Sequence, residues 1–121
     1  LYEQAIRRGC NPQTGLLYAE IAPDGTVTEP SSRIWTQTEW VRAAIIRKRH
    51  GEADADAALA TACERLFHYH LDPAVAGGWI DKVDADGKPL SKVMPASILY
   101  HLFGCLTELS LPADTGPEVR L

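Results

Sequence analysis

The sequence predicts an all-α fold interrupted by short β-hairpins, and three observations carry that expectation. Apolar residues recur at helical spacing over residues 1–8, 36–50, 54–70 and 95–109, and glycine or proline punctuates the stretches between. The pairs Asp24-Gly25 and Asp86-Gly87 each supply the positive φ that a tight reversal needs between short apolar runs. A single register of 62 residues then relates Gly15 to Gly77, Asp24-Gly25 to Asp86-Gly87, and Glu39 to His101. Such a register describes one unit used twice: helix, glycine stop, hairpin, second helix. In stacked repeats, equivalent positions face the same cavity, so Glu39 and His101 are expected to meet.

The elements follow in order. Leu1-Tyr2-Glu3-Gln4-Ala5-Ile6-Arg7-Arg8 is a helical pattern halted by Gly9 and Asn11-Pro12. It opens with neither methionine nor a capping residue, so the chain is expected to start inside an element of a larger protein. Leu16 to Ile21 and Val27 to Glu29 flank Pro23-Asp24-Gly25 as a first hairpin. Thr36 to His50 reads as a helix with an apolar face of Trp40, Val41, Ala44 and Ile45 and a stop at Gly51. Its basic residues Arg42, Arg47, Lys48 and Arg49 read as a solvated end favoured by the helix dipole. A third helix runs from Asp54 to about residue 70 and presents Ala58, Leu59, Ala62, Cys63, Leu66, Phe67 and His70 before Asp72-Pro73 ends it. Gly77-Gly78 opens the second hairpin, and Pro95 suits the first position of the last helix, where its missing N–H leaves nothing unpaired. No linker divides residues 1–121, which read as a single partial domain of two helix-hairpin-helix repeats. Fewer than about three such units rarely cover their own apolar faces.

Composition excludes several functions. With 45% hydrophobic and 23% charged residues and a net charge of -4, the chain has no electrostatic pull toward nucleic acid or anionic lipid. No apolar run reaches membrane-spanning length. Cys10, Cys63 and Cys105 are odd in number and lack paired metal-ligand spacing, which fits reduced thiols in a cytoplasmic setting. His68 and His70 point to different sides of a helix and read as structural. Neither a metal nor another cofactor is expected.

The last helix holds the main candidates. Leu99, Leu102, Phe103, Leu106 and Leu109 are expected as its buried stripe, while Ser97, His101, Gly104 and Glu108 share another face. A hydroxyl, an imidazole and a glycine beside it suit the wall of a polar cavity better than a solvated surface. Plainer readings stand beside these. Thr36-Gln37-Thr38-Glu39 also fits a capping box, in which Glu39 would serve only the helix backbone. A lone histidine among leucines is commonly a hydrogen-bonded core residue, and Trp35 and Trp79 could be core anchors.

Three strings, Arg-Ile-Trp-Thr-Gln-Thr-Glu-Trp at 33–40, Gly-Gly-Trp-Ile-Asp at 77–81 and Pro-Ala-Ser-Ile-Leu-Tyr-His-Leu-Phe-Gly at 95–104, resemble the C-terminal part of the N-acylglucosamine 2-epimerase family. That family also contains mannose isomerases, cellobiose 2-epimerases and proteins labelled mannose-6-phosphate isomerase. The resemblance implies an (α/α)6 toroid of six helical hairpins around a sugar pocket, with this chain as about its last third. It implies His101 as a catalytic histidine, Glu39 as a pocket glutamate that assists proton transfer or holds sugar hydroxyls, Trp35 as a pocket aromatic and Ser97 as a polar substrate contact. The family's other catalytic histidine, in a Gly-His-x-x-Glu-Trp string, and its sugar-binding arginine have no counterpart in these residues.

The chemistry fits those residue types. Interconverting an aldose with its 2-ketose or 2-epimer requires taking a proton from beside a carbonyl and returning it elsewhere. Imidazole both accepts and donates near neutral pH, because its unperturbed pKa is about 6.5. The expected function is therefore sugar isomerisation or 2-epimerisation on mannose- or glucosamine-type sugars, isomerisation first, with a small sugar as partner and self-association into a homo-oligomer compatible with it. The rival is a non-catalytic helical-repeat interaction module, which would expose an apolar concave surface and tolerate loss of His101.

Overall fold

The computed structural model describes residues 1–112. Helix α1 spans Tyr2–Gly9, α2 Ile34–Arg49, α3 Ala55–Leu66 and α4 Ile98–Ser110, and two small antiparallel sheets lie between them. Strands β1 (Glu20–Ile21) and β2 (Val27–Glu29) form the first hairpin; β3 (Ser32–Arg33) pairs with β4 (Lys82–Val83). The second hairpin is closed by bonds from Asp84 N–H to Lys88 O and from Leu90 N–H to Lys82 O. The β3–β4 ladder thus joins the first half of the chain to the second. No described helix is long and apolar enough to cross a membrane.

The 62-residue register is visible in the backbone. Gly15 and Gly77 have φ of 73° and 77°, and Gly25 and Gly87 have 93° and 86°. At Gly87 a second constraint applies: a Cβ there would lie 2.4 Å from Tyr69 Cε1, so only glycine fits both the turn and its neighbour.

Helix α2 is the centre of the packing, with α3 and α4 against it. Its Ile34, Trp40, Val41 and Ile45 meet Ala62 and Leu66 of α3 and Ile98, Leu102 and Cys105 of α4 in one core. The expected apolar face of α2 is buried throughout. Its start differs from expectation, at Ile34 rather than Thr36, because Ile34 N–H is taken by Asp81 O across the β3–β4 ladder. No capping box forms. Thr36 and Thr38 hydroxyls donate back to Arg33 O and Trp35 O, and no side chain caps the helix. Gln37, wholly buried, accepts from Leu17 N–H at 3.0 Å and donates to Leu17 O at 2.9 Å, tying α2 to the first hairpin. Gln37→Leu removes both bonds and is expected to destabilise the fold by roughly 2–4 kcal/mol, readable as a lower midpoint in denaturant unfolding.

The basic end of α2 is not a solvated cluster. Arg47 is buried, its guanidinium lying 4.2 Å over the Tyr2 ring and bonding Glu52 and Asp54 at 2.6 and 2.7 Å. Trp40 Nε1–H donates to Tyr2 Oη at 2.8 Å, so α1 is pinned to α2 from two sides. Asp54 at the N-cap position of α3 makes no capping bond, and its carboxylate goes to Arg47.

Beyond Leu66, α3 widens into a π-helical turn, Phe67–Leu71, closed by Asp72 N–H to Phe67 O. The extra residue in that turn resets the face that follows. Phe67, expected inside, is 40% exposed, while His70 is fully buried. His70 Nδ1–H donates to Ile80 O at 2.7 Å, and Ile80 N–H returns a bond to His70 O. Burial pushes the His70 pKa down, against the opposing pulls of that hydrogen bond and of Asp81. Because the folded state resists the proton that the unfolded chain takes up below about 6.5, stability should fall as pH drops from 6.5 toward the lower folded value. The slope contributed is at most about 1.4 kcal/mol per pH unit. Unfolding midpoints measured from pH 8 to 5 should show this loss and a flatter profile for His70→Gln; identical profiles would remove His70 as the cause.

Helix α4 departs most from its sequence pattern. It begins at Ile98, with Pro95 and Ala96 in a preceding turn whose carbonyls accept from Ile98 and Leu99 N–H. Its buried residues are Ile98, Leu102 and Cys105, at the spacing that faces α2. Leu99, Phe103 and Leu106, expected in the core, are exposed, Phe103 at 76%. Together with Leu71, Trp79 and Tyr100 they line an open apolar groove.

Candidate functional site

On α2, Trp35, Glu39 and Arg42 stand at positions i, i+4 and i+7 and so share one face. On α4, His101 and Glu108 share a face by the same spacing rule. The core contacts between α2 and α4 bring these two faces together. His101 Nδ1 lies 3.1 Å from Glu39 Oε1. The Trp35 ring centre is 5.9 Å from that of His101, the planes tilted by 39°, and Tyr100 meets the imidazole edge-on at 5.4 Å. Side-chain exposures of 30% for His101 and 40% for Glu39 leave the pair open on one side.

Glu39 also receives a cation. Arg42 Nη1 donates to Glu39 Oε1 at 3.2 Å and Oε2 at 3.4 Å, while Arg42 Nε and Nη2 donate to Glu108 Oε1 at 3.2 and 3.1 Å. Arg49 approaches the other oxygen of Glu108 at 3.8 Å. Desolvation works against the Arg42 charge, but hydrogen bonds and charge from Glu108 and Glu39 outweigh it and hold its pKa above the ordinary arginine value. Arg42 is thus a fixed positive charge. Beneath it, Cys105 is buried, and its thiol is pushed up to about 12 by burial first, then by Cys63, Glu39 and Glu108 against the pull of Arg42. A thiol so placed stays protonated and serves packing.

Carboxylate at Nδ1 fixes the imidazole tautomer. Ionised Glu39 only accepts, so Nδ1 carries the proton and donates it, leaving the Nε2 lone pair for the open side. This is the arrangement of a general base whose far nitrogen is held by an acid.

The two catalytic candidates and Trp35 therefore converge. Ser97, at the N-cap of α4 one helical turn before His101, is exposed, and its side chain makes no capping bond. Gly104 faces Arg42, whose Cζ would lie 3.8 Å from an added Cβ, and so does not open space beside the imidazole as its sequence position suggested. The residue that pattern reading missed is Arg42. Its spacing of three from Glu39 was a legible signal, hidden by its place among the other basic residues of α2. Among the described residues no group of three or more His, Cys, Asp or Glu side chains could hold a metal ion.

Comparison with known proteins bears on the whole chain. The family model described as N-acylglucosamine 2-epimerase (GlcNAc 2-epimerase) matches residues 1–105. A protein named mannose-6-phosphate isomerase from Rhizobium meliloti (strain 1021) is 33% identical over 112 residues, which is 90% of this chain and 29% of the relative. A solved structure of D-mannose isomerase superposes with a TM-score of 0.77 at 24% identity, over 88% of this chain and 28% of that one, a likeness of fold. The chain therefore spans less than a third of the length of these relatives. A family match that runs unbroken through both hairpins, the Trp35–Glu39 helix start and His101 leaves one assignment: the chain belongs to the N-acylglucosamine 2-epimerase family.

Proposed function

We propose that the complete protein is a sugar isomerase or 2-epimerase acting on mannose- or glucosamine-type sugars, isomerisation being the first choice. Residues 1–112 form part of its pocket wall, within a toroid of helical hairpins. The observation that carries the reading is the His101–Glu39 contact at 3.1 Å with the Trp35 ring alongside, on a face open to a small molecule. In this mechanism Nε2 of His101 takes the proton from C2 of the open-chain sugar, and the C–H electron pair forms an enediolate with the neighbouring carbonyl. Return of the proton to C1, with the hydroxyl proton of O2 passing to O1, gives the 2-ketose; delivery to the opposite face of C2 gives the epimer. Glu39 stabilises the imidazolium formed in between. Trp35 packs against the apolar face of the sugar, and Ser97 binds a hydroxyl once the substrate is in place.

The test is to incubate the complete protein in D2O with mannose, mannose 6-phosphate and N-acetylglucosamine. With at least one of them, deuterium should enter C1 of the 2-ketose, or C2 of the epimer or of the recovered aldose; no exchange with any of the three would remove the proposal. Delivery to both faces of a carbon wants two bases, and one imidazole on an open face supplies one. Residues 1–121 expressed alone are therefore expected to give no turnover and, through Leu99, Phe103 and Leu106, to self-associate. Turnover by a monodisperse monomer of that length would show a complete site within it.

The alternative, a non-catalytic interaction module, draws support from the apolar groove along α4. It leaves the Glu39–Arg42–Glu108 ion pairs behind His101 without a purpose. The two readings part on loss of His101, which the module would tolerate.

A further inference from the structure

We infer that Arg42, shared between Glu39 and Glu108, sets the charge balance of the His101–Glu39 pair and is a positioning residue for the proton transfer of this site. The same oxygen of Glu39 is 3.1 Å from His101 Nδ1 and 3.2 Å from Arg42 Nη1, so imidazole and guanidinium compete for one acceptor. A lone carboxylate against an imidazole favours the imidazolium and would keep Nε2 protonated, unable to take a proton from carbon. Arg42 offsets that pull by neutralising part of the Glu39 charge. It is itself restrained, because Glu108 takes two of its N–H groups, and Arg49 lies behind Glu108 at 3.8 Å. Beyond the imidazole the charges alternate, from α2 to α4 and back: Glu39, Arg42, Glu108, Arg49. The other titratable groups facing this chain are Cys105 from α4 and Cys63 from α3, both neutral thiols with raised pKa, and Tyr100, whose ring meets His101 edge-on. Arg42 is therefore the one cation in direct contact with Glu39 among the described residues. That the balance matters for catalysis rests on the acid–base role proposed for His101; that it exists does not.

The sign of the effect separates charge balance from scaffolding. If Arg42 tunes the pair by charge, Arg42→Met raises the titration midpoint of His101, by about half a pH unit or more. If Arg42 merely props Glu39 in place, its loss frees the carboxylate, the imidazole loses its acceptor and the midpoint falls. Glu108→Gln leaves the Arg42 charge less compensated and should lower the midpoint. The double variant Arg42→Met with Glu108→Gln should return close to the parent, and Arg42→Lys, which keeps the charge, should stay near it.

The measurement is a 15N-histidine NMR titration of the complete protein, with the His101 signal identified by its loss in His101→Asn. Opposite shifts for the two single variants are the expected result. Shifts of the same sign, or none for either, would overturn the inference. In parallel, the acid limb of kcat/KM against pH should move with the NMR midpoint in each variant, kcat changing more than KM. An NMR midpoint that moves as expected while the acid limb stays fixed would uphold the charge balance and overturn the catalytic role of His101 instead.

Discussion

His101→Asn is expected to slow exchange of the sugar C2 proton in the complete enzyme by about two to four orders of magnitude, the usual effect of removing a general acid or base. Asparagine can keep a hydrogen bond to Glu39 but has no nitrogen that accepts a proton near neutral pH. His101 is 30% exposed at its side chain and lies outside the Ile98, Leu102, Cys105 face, so the core should survive the change. KM should move little, since the loss falls on the transition state. Deuterium incorporation at C2 and the thermal unfolding midpoint, measured on the same preparations, decide it. A folded variant exchanging at the parental rate would point to another base or to the interaction module.

Glu39→Gln should have the next largest effect, a loss of about two orders of magnitude in kcat. The amide is nearly isosteric and still offers an oxygen to Nδ1–H, but it carries no charge to stabilise the imidazolium. It also turns an NH2 group toward either His101 or Arg42, both donors in this arrangement, so one contact becomes repulsive. A capping role for Glu39 would predict a stability loss with kcat intact. The structure already removes that role's basis, since Glu39 bonds His101 and Arg42 and α2 starts at Ile34 without a side-chain cap. Stability within about 1 kcal/mol of the parent together with a collapsed kcat is the expected outcome. The reverse pattern would return Glu39 to a structural part.

Where sequence and structure disagree, the disagreements share a cause. Periodicity gives the faces of a helix relative to one another, and it does not give which face meets a neighbour. Leu99, Phe103 and Leu106 form as good an apolar stripe as Ile98, Leu102 and Cys105, and only the packing of α4 on α2 chose the second set. The same holds for charge. Arg42, Arg47, Lys48 and Arg49 are alike in a string, yet Arg47 is buried over Tyr2, Arg42 bridges two carboxylates, and Lys48 pairs with Asp56 at the surface. Gln37 looked like one letter of a capping box and became the link between α2 and Leu17, a contact 20 residues away in the chain.

What the sequence determined by itself is what depends on local stereochemistry and on repetition. Glycines at the turns, the helix stop at Gly51, the apolar face of α2 and the 62-residue register are properties of short segments, and the register alone foretold that Glu39 and His101 would meet. The tertiary structure decided what depends on which surfaces touch. It placed Trp35 beside the imidazole, buried His70 through a π-helical turn, and set Arg42 between Glu39 and Glu108. A side chain's charge state and hydrogen-bond partners are fixed by groups within a few ångströms in space, and for this site those groups come from helices some sixty residues apart.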